Sequence, residues 1–137
     1  MKLLLDTHVF LWWRSDARDL GDEARRAILD PDNEVFVSAA VGWEIVIKRA
    51  LGKLEFEGGV AAAIAEEGFA PLPILVTHVD ELASLPEHHR DPFDRLLVVQ
   101  ARMEGLVLVT ADPLIQQYGG VAWLGAGRRR RGARRGR

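Results

Sequence analysis

Two acidic residues follow apolar runs at positions where a carboxylate could take part in chemistry. Asp6 ends the apolar run at residues 3–5, and Asp112 follows the aliphatic run at residues 106–109 after a two-residue turn. Both runs predict buried strands, and parallel neighbours would place the two carboxylates at the same end of a sheet. The alternative for each is a helix cap, and the position of Asp112 directly before a proline is ideal for one.

Glu44 is expected within a helix that Ser38 caps and Gly52 ends. We predict that the apolar stripe of this helix consists of Ala40, Trp43, Ile47, Ala50 and Leu51. Glu44 falls on that stripe by its helical spacing. Because a buried, ionised carboxylate is costly unless it is paired or bound to a cation, Glu44 is a candidate ligand. The alternative is a rim position, where Glu44 reaches water or pairs with an arginine.

Asp94 stands in the first turn of a helix that Asp91 and Pro92 begin and Gly105 ends. Its ordinary role would be to stabilise the helix dipole. Since Asp91 takes the N-cap position, Asp94 is free to point toward the face that a sheet should cover. We therefore treat Asp91 as a cap or a supporting residue, and Asp94 as a candidate ligand.

The four candidate acids, Asp6, Glu44, Asp94 and Asp112, are expected to meet at one edge of one sheet. Clustered carboxylates repel one another unless a cation lies between them. We expect no histidine or cysteine beside them, which argues against zinc, and an all-oxygen set suits Mg²⁺ or Mn²⁺. A magnesium ion held in this way activates water and binds phosphate, which is the chemistry of phosphodiester hydrolysis.

Hydroxyl and imidazole groups near these acids are candidates for supporting roles. Thr7 and Thr110 could orient the carboxylates or a phosphate, although plain turn capping is the simpler interpretation. His8 is expected at the surface, and His88 and His89 are expected to be solvated in a loop.

Strand and helix patterns alternate along the chain, which predicts a single α/β domain with a central, mostly parallel sheet and helices on both faces. The remaining strands are expected at residues 2–5, 35–37 and 121–124, with residues 69–76 extended and at most an edge strand. Thr77 is expected to cap a short helix, and Asp112 to begin another that runs to Tyr118. Ligands of such sheets bind outside the carboxyl ends of the strands.

The composition of the 137 residues is that of one ordinary globular domain, with 48% hydrophobic and 28% charged residues. The chain has no cysteine, which excludes a disulfide scaffold, a cysteine-ligated metal and a thiol nucleophile. It has no apolar run of membrane-spanning length, and an acid follows the N-terminus too soon for a secretory signal. We expect a cytoplasmic protein without a membrane partner.

The net charge of −2 conceals a strongly basic end. Seven of the 18 basic residues lie in residues 128–137, so the preceding part holds 11 basic residues against all 20 acids, a charge of −9. We predict a domain over residues 1–126 and a disordered tail over 127–137. Because an acidic body repels RNA, the tail is a candidate RNA contact through Arg128, Arg129, Arg130 and Arg131. The alternative is a dispensable, solvated end.

Four short stretches resemble, in order and spacing, those of a PIN domain, and more narrowly the VapC-type toxins of bacterial toxin–antitoxin pairs. They are Leu-Leu-Leu-Asp-Thr-His at residues 3–8, Ser-Ala-Ala-Val-Gly-Trp-Glu at 38–44, His-Arg-Asp-Pro-Phe-Asp-Arg at 89–95 and Leu-Val-Thr-Ala-Asp at 108–112. The resemblance covers roughly residues 1–124. It implies that Asp6, Glu44, Asp94 and Asp112 hold Mg²⁺ or Mn²⁺ for RNA cleavage, with Asp112 acting more often through a water or a second ion. The arginine-rich tail departs from the family pattern.

The resemblance also implies partners: an RNA substrate, a second copy of the chain and a cognate antitoxin protein that lies across the acidic groove. An arginine of the antitoxin would then take the place of the cation. The apolar run at residues 10–13 includes Trp12 and Trp13. Either one tryptophan lies in the core and the other at its rim, or the run forms a surface for self-association.

Three other classes of protein were compared with this pattern. A haloacid-dehalogenase-type phosphatase needs a second aspartate where this chain has His8, and a receiver-like domain needs a late lysine, whereas the chain's lysines are Lys2, Lys48 and Lys53. The serious alternative is a PIN-like module that binds RNA or protein without cleaving RNA.

Overall fold

The structure is a computed structural model that describes residues 1–128 of the chain. The predicted RNA contacts Arg129, Arg130 and Arg131 lie outside the described residues, and Arg128 is exposed. Gly127, the first residue of the predicted tail, forms an isolated antiparallel bridge with Leu20. Within residues 1–128, no helix has both the length and the apolar character needed to cross a membrane.

The described residues form five strands and six α-helices. In chain order they are β1 Lys2–Leu5, α1 Thr7–Ser15, α2 Asp22–Leu29, β2 Glu34–Ser38, α3 Ala39–Ala50, α4 Val60–Glu66, β3 Ala70–Leu72, α5 Val76–Glu81, α6 Pro92–Glu104, β4 Val107–Thr110 and β5 Trp123–Gly125. Two short 3₁₀ helices, Leu82–Ser84 and Ile115–Gln117, complete the set.

The strands form one sheet in the order β3-β2-β1-β4-β5, and every neighbouring pair is parallel. Leu3, Leu4 and Leu5 of β1 are all fully buried. Because successive side chains of a strand point to opposite faces, both faces of the sheet are covered, and the predicted α/β fold class is confirmed. The chain order reverses between β1 and β4, which makes the carboxyl ends of these two strands the place to look for a ligand.

The ends of the long helices follow from local sequence chemistry. The hydroxyl of Ser38 accepts the N–H of Ala40 and begins α3. Asp91 caps α6 with Pro92 behind it, and Gly105 ends that helix in the left-handed conformation, at φ 66°. These predicted boundaries agree with the structure, and so does the edge position of β3.

Thr77 is not the cap of α5, as we expected from the sequence. The helix begins one residue earlier, at Val76, and the backbone N–H of Leu75 donates to Nδ1 of His78 at 2.9 Å. His78 is fully buried, so its ring provides the capping acceptor from inside the fold. The sequence pattern favoured a hydroxyl because an imidazole cap depends on tertiary burial.

The segment after Asp112 is shorter and tighter than the expected helix. Oδ1 of Asp112 accepts the N–H of Leu114 at 2.8 Å, as a cap would, but only the 3₁₀ helix Ile115–Gln117 follows before Tyr118. Tyr118 is buried, and its ring anchors the turn to the core. The last strand, predicted at residues 121–124, is β5, Trp123–Gly125, which begins two residues later and ends one residue later.

The apolar stripe predicted for α3 is wrong in phase. The buried residues of this helix are Ala40, Val41, Glu44 and Ile45. Trp43 and Leu51, which we placed on the stripe, are 59% and 62% exposed. The sheet and the neighbouring helices α1 and α6 cover the other side of the helix. The Trp43 ring instead meets Phe93 edge-on at 5.1 Å.

Candidate active site

An open cavity of about 400 Å³ lies at the carboxyl ends of β1 and β4. Its wall includes five carboxylates: Asp6, Glu44, Asp91, Asp94 and Asp112. All four candidate ligands predicted from the sequence therefore face one cavity, together with the supporting acid. Asp6 directly follows β1, Glu44 and Asp94 lie on α3 and α6, and Asp112 follows β4. Only the folded chain therefore brings these acids together.

Asp6 and Asp112 act as caps and line the cavity at the same time. Oδ1 of Asp6 accepts the N–H of Val9 at 2.9 Å and begins α1. The backbone N–H of Asp6 also donates to the carbonyl of Val109, which joins the end of β1 to β4. The two interpretations considered for these acids are thus compatible, because a cap uses only part of a carboxylate's capacity to accept.

Glu44 is buried, with 4% of its surface exposed, and both of its carboxylate oxygens have donors. The hydroxyl of Thr7 donates to Oε1 at 2.6 Å, and Nζ of Lys48 donates to Oε2 at 2.5 Å. Thr7 therefore orients a carboxylate, whereas we had favoured simple turn capping. The ion-pair partner is a lysine and not the arginine considered above, and its spacing of four residues was readable in the sequence.

Asp91 is the N-cap of α6, as predicted. Its Oδ1 accepts the backbone N–H of Phe93 at 2.8 Å and of Asp94 at 3.2 Å. Asp94 is thus released from capping, and its half-buried side chain lines the cavity. On the opposite strand end, the buried hydroxyl of Thr110 accepts the N–H of Asp112 and is hydrogen-bonded to Asp6.

The expectations that no histidine accompanies the acids and that His89 is solvated are wrong. Nε2 of His89 lies 2.8 Å from Oδ2 of Asp112 and 3.1 Å from Oδ2 of Asp94. The guanidinium of Arg95 donates to several carbonyls of the loop before α6, and His89 of this loop lines the cavity. Sequence patterns did not reveal the position of His89, because Asp112 and Tyr118, which contact it, lie 23 and 29 residues away in the chain. His8 and His88 are exposed, as expected.

Burial and mutual repulsion raise the pKa of two of the acids. Burial raises the pKa of Asp94 to about 7, and the charges of Asp91, Asp6 and Glu44 add to this, while His89 opposes it. Burial also raises the pKa of Asp6 to about 6, against the hydrogen bonds from Thr110 and Val9. The cavity therefore holds more negative charge than its surroundings stabilise.

Lys48 is the cation paired with this acidic group inside the described part of the cavity wall. Its pKa lies above the ordinary value, chiefly because of the hydrogen bond to Glu44, and the charges of Asp91 and Asp94 act in the same direction. One ammonium cannot neutralise five carboxylates. The oxygen-rich donor set and the raised pKa values fit a hard divalent cation.

Comparison with known proteins agrees with this arrangement. The family model described as PIN domain matches residues 3–121. Ribonuclease VapC22 of Mycobacterium tuberculosis is 30% identical over 123 residues, which cover 85% of this chain and 91% of that protein. A chain in the crystal structure of VapBC2 from Rickettsia felis, bound to a DNA fragment from their promoter, has a TM-score of 0.65 at 13% identity. That match covers 92% of this chain and 99% of the other.

Proposed function

Because the chain belongs to the PIN domain family, we propose that its acidic cavity is the active site of an endoribonuclease that hydrolyses RNA phosphodiester bonds. The likeness to a VapC ribonuclease along nearly the whole of both chains supports RNA as the substrate. The main support for the proposal is that four carboxylates, which separate elements position, line one cavity where the strand order reverses. A chain that used these acids only as caps would not need them in one cavity.

Asp6, Glu44, Asp94 and Asp112 would hold the metal ion, which we propose to be Mg²⁺, with Mn²⁺ as a substitute. When bound, such an ion lowers the pKa of water and offsets the charge of the phosphate and leaving oxygen. Thr7 and Lys48 orient Glu44, and Thr110 orients Asp6. Lys48 also brings positive charge to a cavity that would otherwise repel phosphate.

We propose that the protein is the toxin of a toxin–antitoxin pair, held inactive by a cognate antitoxin protein. The fold shared with a chain of the VapBC2 complex and the relationship to VapC22 support this assignment. We further propose a homodimer. Trp12 and Trp13 are both half-buried, so neither belongs wholly to the core, and Trp12 lines the cavity. Since the proposed substrate is cellular RNA, we place its action in the cytoplasm.

Arg128 and the arginines that follow it are proposed to contact RNA. The described chain ends near the cavity, because Gly127 lies beside Ala111, a residue of the cavity wall. A basic segment that starts there could supply phosphate contacts that the acidic body cannot.

Incubation of the purified chain with total RNA tests the nuclease function. We expect RNA fragments with Mg²⁺, none with chelator, and none from the Asp6→Asn variant. Asp80→Asn is the matched control, because Asp80 is an exposed acid on α5 outside the cavity. If RNA is bound but not cut by the unchanged chain with Mg²⁺, the protein is a non-catalytic PIN-like module instead.

The toxin assignment is tested by co-purification with the protein encoded next to it. We expect RNase activity to rise when that partner is stripped away under conditions that leave the toxin folded. Equal activity before and after stripping would reject inhibition by the partner.

A further inference from the structure

His89 lies between two of the proposed ligands and contacts both. Its Nε2 is 2.8 Å from Asp112 and 3.1 Å from Asp94, and ligand atoms of the three residues all lie within 4.8 Å of one another. This spacing is compatible with two different roles. His89 could be a nitrogen ligand of the metal, or a hydrogen-bond donor that holds the two carboxylates.

The hydrogen bond at the other ring nitrogen, Nδ1, distinguishes between these roles. The backbone N–H of Asp91 donates to Nδ1 of His89 at 3.0 Å. A backbone N–H is only a donor, so Nδ1 is an unprotonated acceptor, and the proton of the imidazole is on Nε2. The Nε2–H group then donates to Oδ2 of Asp112 at 2.8 Å and lies 3.1 Å from Oδ2 of Asp94. A nitrogen that keeps its proton in this position has no lone pair to give to a metal.

The backbone that presents the ring is held from two directions. The N–H of His89 donates to the hydroxyl of Tyr118 at 2.9 Å, and Tyr118 is buried. The guanidinium of Arg95 donates to the carbonyl of His89 at 3.4 Å and to that of Pro86 at 3.1 Å. These contacts fix the position of the loop, and the Asp91 N–H fixes the orientation of the ring.

We propose that His89 is a positioning residue of the active site and not a metal ligand. Its Nε2–H donates to Asp112, after β4, and stands 3.1 Å from the carboxylate of Asp94, at the start of α6, and so holds carboxylates from two elements beside one another. The joined pair is already arranged for a cation before one binds. The effect on metal affinity rests on the proposed metal-dependent function, whereas the position of the proton does not.

Nitrogen-15 NMR of the histidine side chains tests the position of the proton directly. In the metal-free chain, we expect the His89 proton on Nε2, and we expect it to remain there when Mg²⁺ saturates the site. His89→Gln identifies the signal by removing it. A proton on Nδ1 in the metal-free chain, or loss of the Nε2 proton on saturation with Mg²⁺, would overturn the proposal.

Calorimetric titration with Mg²⁺ measures what the contact contributes. His89→Asn keeps an oxygen near Nδ1, and with it the contact to Asp91, but has no donor long enough to reach the acids. We expect it to weaken Mg²⁺ binding by about 10-fold or more, in the range usual for groups that orient ligands. In His89→Gln, the amide N–H replaces Nε2–H, and we expect the binding constant to return to within about 3-fold of the unchanged chain.

Asp80→Asn is the control for these titrations, because Asp80 is exposed on α5 and lies outside the cavity. We expect it to bind Mg²⁺ as the unchanged chain does. Wild-type affinity in His89→Asn would contradict the positioning role. If the unchanged chain does not bind Mg²⁺, the proposed metal dependence and the role of His89 in it are overturned. The assigned tautomer would still be correct if NMR places the proton on Nε2.

Discussion

Asp94 has the higher of the two raised pKa values among the acids of the cavity. Burial raises its pKa to about 7, and three neighbouring acids add to the shift. The same residue is free to face the cavity because Asp91 takes over the N-cap of α6. An acid kept in a place that disfavours its charge is typical of a functional site, where stability is given up for binding.

The raised pKa values predict how the stability of the metal-free protein depends on pH. Between about pH 4 and 7 the folded chain holds more protons on Asp6 and Asp94 than the unfolded chain does. The free energy of unfolding should therefore fall as the pH rises through this range. Urea denaturation in the presence of chelator measures the free energy of unfolding at each pH, and Asp94→Asn should make it depend less on pH. A contribution of these acids to the free energy of unfolding that rises with pH would contradict the raised pKa values.

The variant Asp94→Asn should stabilise the metal-free protein while it abolishes RNA cleavage. Removal of the disfavoured charge is expected to raise the free energy of unfolding at pH 7 by about 1–3 kcal/mol. The control Asp80→Asn should change stability by less than about 0.5 kcal/mol, because Asp80 is exposed. Urea denaturation and an RNA cleavage assay give both readouts. Loss of stability in Asp94→Asn would show that its charge is compensated.

The sequence predicted the four candidate acids better than it predicted the residues around them. Asp6, Glu44, Asp94 and Asp112 were recognisable because each stands at a strand end or on a helix face that should be buried. His89 was missed because its partners Asp112 and Tyr118 are more than 20 residues away and come close only in the folded chain. Periodicity describes neighbours in an element and not contacts between loops.

The elements determine how precisely the acids are placed, and α3 shows this most clearly. Its first turn is fixed by Ser38, whose hydroxyl accepts the N–H of Ala40 and donates to Oε1 of the buried Gln100 on α6. The Gln100 amide in turn donates to the carbonyl of Pro73. One buried group thus ties α3 to α6, the two helices that provide Glu44 and Asp94.

Ser38→Ala should destabilise the fold by about 1–3 kcal/mol, because it removes a helix cap and leaves a buried amide oxygen without its donor. Since α3 and α6 would no longer be tied, Mg²⁺ binding should weaken as well. Ser15→Ala is the control, because Ser15 is exposed at the end of α1 and should matter little. Urea denaturation and Mg²⁺ titration measure both effects. Equal stability of the two variants would contradict this role of Ser38.

Most elements were predictable because their ends have strong local signals, such as Asp91-Pro92 and Gly105 for α6. The phase of α3 was not, because its residues are largely apolar on both sides: Trp43 and Val46 are exposed and Val41 and Ile45 are buried. Hydropathy alone cannot tell which side of such a helix the sheet covers. Glu44 was correctly assigned to the buried face, although Trp43, Ala50 and Leu51, which were used to define that face, are exposed.

For the whole molecule, the question is how an acidic body acts on a polyanion. The part before residue 128 has a charge of −9, and Lys48 is the cation that pairs with an acid in the described cavity. We therefore propose that the attraction of RNA comes from the proposed metal ion, from the arginine-rich end, or from both. Sequence composition revealed this asymmetry directly, but residues 129–137 lie outside the described structure.

Deletion of residues 129–137 should weaken RNA binding and reduce its dependence on salt. The segment contains six arginines, so full engagement would lower the slope of log K against log salt by about 4 for single-stranded RNA. Binding of Asp6→Asn protein to RNA, with and without the segment, measures the slope without cleavage. An unchanged slope would show that residues 129–137 do not contact the RNA phosphates.

Calorimetric titration of the chain with Mn²⁺ measures whether the four carboxylates Asp6, Glu44, Asp94 and Asp112 jointly bind a divalent cation. We predict that the unchanged chain and Asp80→Asn bind Mn²⁺ alike. We predict that Asp6→Asn, Glu44→Gln and Asp94→Asn each lose at least about 10-fold in affinity while remaining folded. Unaltered Mn²⁺ binding by Glu44→Gln or Asp94→Asn would contradict joint binding of the cation by these carboxylates.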